Sequence, residues 1–296
     1  MAKRFILHNN IPIPTLGFGT YLMRDAEVLN ACIKTAVKNG YCLIDTATVY
    51  RNEHIIGETL QEIFNNPQEF NNIKRENLFI TSKLSPIDQG FEACYNAVIK
   101  SLSQLKLDYL DCYLIHWPGT SKLQLGDSKN PENRDGSWRA LEKLYEEGKL
   151  KSIGVSNYQL HHLQELCNNC SIKPHVIQSE MHPWYFQPEL LDYCATEKIF
   201  FQAYSSLGTG ALISNPRYQA PLKALSDKYQ VTVAQILLNW AIQKGVGVIP
   251  KSANLDRVAE NCKIFGFELN QEDMKTLDNF NASSQTKFCW DSKDVL

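Results

Sequence analysis

No stretch of this chain stays apolar for the roughly 20 residues that a membrane-spanning helix requires. Met1-Ala2-Lys3-Arg4-Phe5 is not followed by the apolar core of a secretory signal, and Asp294-Val295-Leu296 matches no lipidation or sorting signal. Charge of one sign is not in excess either. A formal net charge of -2 gives no field that seeks a polyanion, which argues against nucleic acid as the main partner. No G-x-G-x-x-G follows a strand-like run. Gly208-Thr209-Gly210 lacks the third glycine, so a dinucleotide fold of the Rossmann kind is not supported. Low-complexity segments and domain boundaries are absent, and one domain over residues 1–296 is expected. Nine cysteines is an odd number, and most sit inside apolar runs, as reduced core thiols of a cytoplasmic protein do. Cys167-Asn168-Asn169-Cys170 has His161 and His162 nearby but no second cysteine pair, so no metal site is expected.

What is present is an alternation. Arg4-Phe5-Ile6-Leu7, Asn9-Asn10 and Ile11-Pro12-Ile13 read as strand, turn and strand, a small hairpin. Leu16-Gly17-Phe18-Gly19-Thr20 then reads as the first of eight core strands. Short apolar runs ending at Asp45, Lys83, His116, Ser156-Asn157, Gln178, Tyr204-Ser205 and Lys251-Ser252 supply the other seven. Helical stripes lie between them. Val28, Leu29, Cys32, Ile33, Ala36 and Val37 form one, with Gly40 at its end. Phe91, Cys94, Tyr95, Val98, Ile99, Leu102 and Leu105 form the clearest. The polar stretch from Gly119 to Gly136 has no apolar period and reads as an exposed loop over the strand ends. Strands alternating with helices over about 250 residues predict a parallel (β/α)8 TIM barrel, with an N-terminal hairpin and a C-terminal helix plus closing loop.

In such a barrel the strand C-termini converge on one face, where active sites sit. An acid (Asp45), a lysine (Lys83) and an imidazole (His116) end three successive strands, and a phenol, Tyr50, follows the first. Any one of these alone is usually a solvated rim residue. Four on neighbouring strand ends make a constellation. An ammonium close to a phenol favours the phenolate and lowers its pKa by about one to three units. Lys83 could do this to Tyr50, Asp45 could hold Lys83 charged, and His116 could orient a substrate oxygen. The result is a proton donor aimed at a developing alkoxide, as carbonyl reduction needs. None of these groups supplies a hydride, so a nicotinamide cofactor is required. After the last strand, Lys251, Ser252 and Arg257 gather at the start of a helix, a good trap for a phosphate. That favours NADPH over NADH.

Gly19-Thr20, Asp45-Thr46-Ala47 with Tyr50, Asn52-Glu53, Gly57-Glu58, Ser82-Lys83, His116-Trp117-Pro118, Gly154-Val155-Ser156-Asn157, His182-Pro183 and Ile249-Pro250-Lys251-Ser252 together resemble the aldo-keto reductase superfamily, from Leu16 to about Asn261. The resemblance implies a monomeric barrel that reduces small-molecule aldehydes and ketones with NADPH. It implies that Tyr50 is the general acid, tuned by Lys83 and Asp45, and that His116 orients the carbonyl. It assigns Ser156, Asn157 and Gln178 to the carboxamide, Tyr204 to the face of the nicotinamide, and Ser205, Leu207 and Thr209 to the loop crossing the pyrophosphate. Gly19, Thr20 and Tyr21 fall in the same cofactor-lined mouth, and Glu260 and Asn261 match adenine contacts. Tyr21 stands where many relatives have tryptophan, Thr48 where some have histidine, and Ser206 where proline is common. Tyr21 and Trp117, with the tail residues Phe288 and Trp290, would suit a largely apolar substrate pocket around Tyr50 and His116. A redox-sensing, cofactor-binding subunit on the same scaffold is the alternative reading, and the intact set of four side chains favours the enzyme. A barrel hydrolase would need a second strand-end acid, for which Glu180 is the sole candidate.

Overall fold

The computed structural model describes residues 3–296. β1 (Arg4–Ile6) and β2 (Pro12–Pro14) pair antiparallel around the turn at Asn9-Asn10, with Asn10 at a φ of 67°. Eight strands follow: β3 (Phe18–Gly19), β4 (Leu43–Asp45), β5 (Phe79–Leu84), β6 (Cys112–Ile115), β7 (Ile153–Ser156), β8 (Val176–Glu180), β9 (Phe200–Tyr204) and β10 (Gly247–Val248). They pair parallel, each with its sequence neighbour, in one 8-stranded sheet. A parallel bridge between Leu16 and Val248 joins the first strand to the last, and the Gly17 N–H donates to the Val248 carbonyl at 2.8 Å. The sheet is thereby a closed (β/α)8 barrel, the form expected of this alternation.

The helices cover the outside: α1 (Ala26–Lys38), α2 (Glu53–Asn65), α3 (Phe91–Leu105), α4 (Lys129–Glu146), α5 (Leu160–Asn169), α6 (Pro188–Glu197), α7 (Ala211–Ser214), α8 (Pro216–Tyr229), α9 (Val233–Gln243), α10 (Leu255–Asn261) and α11 (Gln271–Ser284). α1 shows how the sequence sets one. The Asp25 carboxylate accepts from the Val28 N–H at 3.0 Å, Leu29, Cys32, Ile33, Ala36 and Val37 are buried, and Gly40 leaves at a φ of 89°. Val28 itself is 40% exposed and Ile99 on α3 is 39% exposed. Both were read as inward, and both lie at the edge of a stripe only about 100° wide.

Residues 119–136 are not one loop, because α4 begins at Lys129. Its buried first turns are polar, so no apolar period announces them. Asn130 accepts from the Thr120 N–H and donates to the Gln124 and Leu125 carbonyls, and Arg134 is paired with Glu165. α7 and α8 were also not marked by a stripe; α8 carries Pro221 within it and buries only Tyr218, Leu222 and Leu225.

Two apolar cores result. One lies between barrel and helices. The other fills the lower barrel interior with Leu43, Phe79, Cys112, Leu114, Val176, Phe200 and Ile249, closed from below by Leu7 and Ile13 of the hairpin. Gly154 is needed at the β7–β8 contact, since a Cβ there would lie 2.1 Å from the Val176 carbonyl oxygen.

Candidate active site

Strand geometry sends alternate residues inward, so each inward position above the apolar floor is the next candidate for chemistry. On β4 that position is Asp45 and on β8 Gln178; on β5 it is Thr81, level with Asp45, and Lys83 stands one inward step higher. The Lys83 Nζ lies 2.5 Å from Asp45 Oδ1 and donates to the Thr46 carbonyl at 2.8 Å. Both side chains are shut off from solvent, at 0% and 3% exposure. The other oxygen of Asp45 accepts from Gln178 Nε2 at 2.7 Å, and the same Nε2 donates to Gln202 Oε1 at 2.8 Å. A buried ion pair holds its charges only when its remaining lone pairs and protons are met in this way.

Tyr50 ends the short helical turn Thr48–Tyr50 that follows β4. Its hydroxyl is 3.5 Å from Lys83 Nζ. The turn is braced by Thr48, whose hydroxyl donates to the Lys83 carbonyl, and by Asn52, which donates to the Thr20 and Met23 carbonyls and accepts from Thr46. The His116 ring stands 5.7 Å from the Tyr50 ring, edge-on, and the Tyr21 ring stands 5.1 Å from it. The barrel therefore brings Asp45, Tyr50, Lys83 and His116 together at one mouth, with Tyr21 and Trp117 at its rim.

The electrostatics differ from the sequence reading in one respect. Tyr50 was expected to have its pKa lowered by Lys83. Burial instead pushes the phenol well above its ordinary value, and the charge of Asp45 pushes the same way. The physical reason is first that the phenol is shut away from water, and second that the lysine beside it is already paired with Asp45. Burial also lowers Lys83, against the pull of Asp45. His116 is lowered to about 3, first by burial and then by the Lys83 charge, so its ring is neutral. Its Nδ1 is buried without a partner.

Of the residues expected to meet a cofactor, Gly19, Thr20, Ser156, Asn157 and Gln178 stand at the strand ends beside Asp45. Gly19 needs to be glycine, because a Cβ there would lie 2.7 Å from the Ile249 carbonyl oxygen, and the Thr20 hydroxyl donates to the Asp45 carbonyl. Ser156 and Gln178 are buried. Asn157, at a φ of 64°, donates to the His116 carbonyl and to Ser156 Oγ, and accepts from the Tyr204 hydroxyl at 2.6 Å. Its side chain is thus largely spent on the protein, fixing the Tyr204 ring. Ser205 and Thr209 have φ of 49° and 54°, and Leu207 packs partly on the core. Lys251 and Arg257 are exposed. At the start of α10 the Asn254 side chain accepts from the Arg257 N–H, which satisfies one of the first-turn N–H groups. The Glu260 carboxylate accepts from Thr232, and Asn261 is buried. Among the described residues no metal-binding group of His, Cys, Asp and Glu occurs.

Two participants escaped the sequence reading. Gln202 is an inward polar residue in an otherwise apolar strand, and that mismatch was its signal. Cys289 lies beside the cofactor loop, with Sγ 3.3 Å from Ser205 Oγ. It sits in an aperiodic tail and left no signal.

This geometry defines a class: a parallel-barrel enzyme with titratable side chains at the C-terminal ends of its strands. Comparison makes that class specific, because residues 15–282 match the Aldo/keto reductase family and the chain belongs to it, an oxidoreductase acting on carbonyl groups. It is 44% identical to a glyoxal reductase of Bacillus subtilis (strain 168), over 94% of this chain and 93% of the relative. It is 38% identical to a 9,11-endoperoxide prostaglandin H2 reductase of Trypanosoma cruzi, over 94% and 92%. Among solved structures, a Bombyx mori aldo-keto reductase in complex with NADP superposes with a TM-score of 0.85 at 30% identity, covering 95% of this chain and 93% of that one.

Proposed function

We propose that the chain is a cytoplasmic, monomeric, single-domain reductase that converts aldehydes and ketones to alcohols with NADPH. The observation that carries this is the phenol of Tyr50 within 3.5 Å of Lys83 Nζ, itself 2.5 Å from Asp45, at a mouth shared with a neutral His116. The residues fit a nicotinamide cofactor. Ser156 keeps its hydroxyl proton, Gln178 keeps its carbonyl oxygen, and the buried Ser206 Oγ in the loop after β9 has no partner. Lys251 and Arg257 are in no ion pair among the described residues, so both are free to hold a 2'-phosphate with Ser252 beside them. When bound, the reduced cofactor supplies the hydride.

The chain's own side chains do the rest. With Nδ1 buried and unpartnered, His116 offers Nε2–H to the substrate oxygen and fixes the carbonyl's direction. Tyr50, protonated at neutral pH, gives its proton to the oxygen as negative charge develops there. Lys83 stabilises the phenolate left behind, and Asp45, held by Gln178, keeps Lys83 aimed.

Tyr50→Phe is expected to lower turnover by about 10²–10⁴-fold with NADPH binding unchanged. Aldehyde reduction by this variant at the parent rate would remove the proton-donor role. Lys251→Met is expected to raise the KM for NADPH about tenfold and to leave that for NADH nearly as it was. Equal effects on both cofactors would remove the phosphate assignment.

A further inference from the structure

The end of β8 holds a carboxylate that the chemistry above does not use. Glu180 is 1% exposed. Its Oε1 accepts from the Phe288 N–H at 2.7 Å and lies 3.0 Å from His182 Nε2. Its Oε2 accepts from the Cys289 N–H at 2.9 Å and from Lys287 Nζ at 3.3 Å. Three of the four donors come from consecutive residues of the segment after α11, more than a hundred positions away in sequence. Only a carboxylate accepts on both sides; an amide would turn N–H groups toward donors. Burial by itself would raise this acid, yet the His182 and Phe288 N–H hydrogen bonds and the Lys287 charge hold it at about 2, so it stays ionised.

From this anchor the segment crosses the mouth. Phe288 packs on Gly208 of the cofactor loop, where a Cβ would lie 2.8 Å from its ring. Trp290 is 85% exposed, with its ring 6.4 Å from that of Trp117 and edge-on to it. Ser292 Oγ donates to the Asn157 carbonyl at 2.5 Å. Farther on, the Val295 carbonyl lies 2.8 Å from His162 Nε2, and the Leu296 N–H donates to the Leu125 carbonyl. The segment is a strap pinned on either side of the mouth, with apolar rings between the pins.

We propose that Glu180 is the positioning residue that seats residues 287–292 as one wall of the carbonyl-binding mouth, and thereby sets discrimination for bulky apolar carbonyls over small ones. This rests on the reading of the mouth given under Proposed function. A bulky carbonyl seated against Tyr50 and His116 reaches the Trp117 and Trp290 rings. A three-carbon carbonyl does not, so it is indifferent to where the strap lies.

The test compares the parent with Glu180→Gln and with Lys287→Met, which removes one arm from the strap side and leaves the buried acid in place. In Glu180→Gln the KM for naphthaldehyde should rise about tenfold, while kcat/KM for methylglyoxal changes by no more than about twofold. Labelling of Cys289 by a thiol reagent, read on its peptide by mass, should speed up about tenfold as the strap opens. Lys287→Met should shift both readouts the same way by a smaller factor, and it decides the matter if Glu180→Gln does not fold. Equal losses on both carbonyls, or unchanged Cys289 labelling in the folded variants, would overturn the proposal. If the parent reduces neither carbonyl, the reading of the mouth fails and the discrimination with it. Cys289 labelling then still decides whether Glu180 holds the strap.

Discussion

The two ends of the barrel interior are built from the same strands and behave as opposites. Leu43 and Asp45 are two positions apart on β4, Val176 and Gln178 two apart on β8, and Leu114 precedes His116 by two at the end of β6. The lower positions pack with Leu7 and Ile13 into a dry floor, and the upper ones carry acid, amide and imidazole. Side chains two residues apart on a strand share a face, so a step of about 6.6 Å along the chain separates packing from chemistry. The comparison teaches that the floor is part of the site. Burial above it holds the Tyr50 phenol up, the His116 imidazole down at about 3 and the Lys83 ammonium down. In water each would sit near its ordinary value, and the imidazole would carry a second proton for part of the time near neutral pH.

The largest effect should come from breaking the upper end. Lys83→Met leaves Asp45 buried beside an apolar chain, which costs about 3–5 kcal/mol unless the acid takes up a proton. Turnover should fall with it. Adding Asp45→Asn should restore much of the stability, read from the urea midpoint, and none of the turnover. If the double variant recovers activity, the pair is scaffolding and not part of the reaction. Next comes the floor. Leu114→Ala removes a fully buried side chain and should cost about 3 kcal/mol, with kcat for a small aldehyde nearly unchanged. A loss of turnover comparable to that of Lys83→Met would mean that the two ends are not separable in this way.

The same contrast explains what could be read in the sequence. Asp45 and His116 were legible because each ends a short apolar run, and Lys83 because it ends the strand-like stretch Phe79-Ile80-Thr81-Ser82 between them. The barrel was legible because buried parallel strands are apolar on both faces while the covering helices carry a stripe. The first turns of α4 were not, since Asn130 and Arg134 are buried by hydrogen bonding and an ion pair rather than by hydrophobicity. The sign of the Tyr50 shift was not legible either. It depends first on how completely the fold buries the phenol and then on the charge of Asp45 nearby, and no spacing along the chain reveals either. The strap is the extreme case. Phe288 and Trp290 were noticed as apolar tail residues, but their seat is a carboxylate on β8, and contacts of that sequence separation leave no local pattern.

The smallest expected effect lies at the lower end and separates burial from chemistry. His175 immediately precedes β8 beneath the floor, 1% exposed, with its ring 5.4 Å from that of Tyr145 and 4.3 Å from that of His8. Burial, with the neighbouring His8, lowers it from 6.5 to about 4. Above pH 6.5 the ring is neutral in both folded and unfolded chains and leaves stability unaffected by pH. Between 6.5 and about 4 the unfolded chain binds the proton first, so stability falls as the solution is acidified. Below about 4 both states hold the proton and this contribution levels off. His175→Gln should therefore flatten the slope of urea midpoint against pH within that window while kcat keeps the parent's pH profile. An unchanged slope would mean that this imidazole is reached by water, and that the apolar floor stops at Val176, where the strand begins.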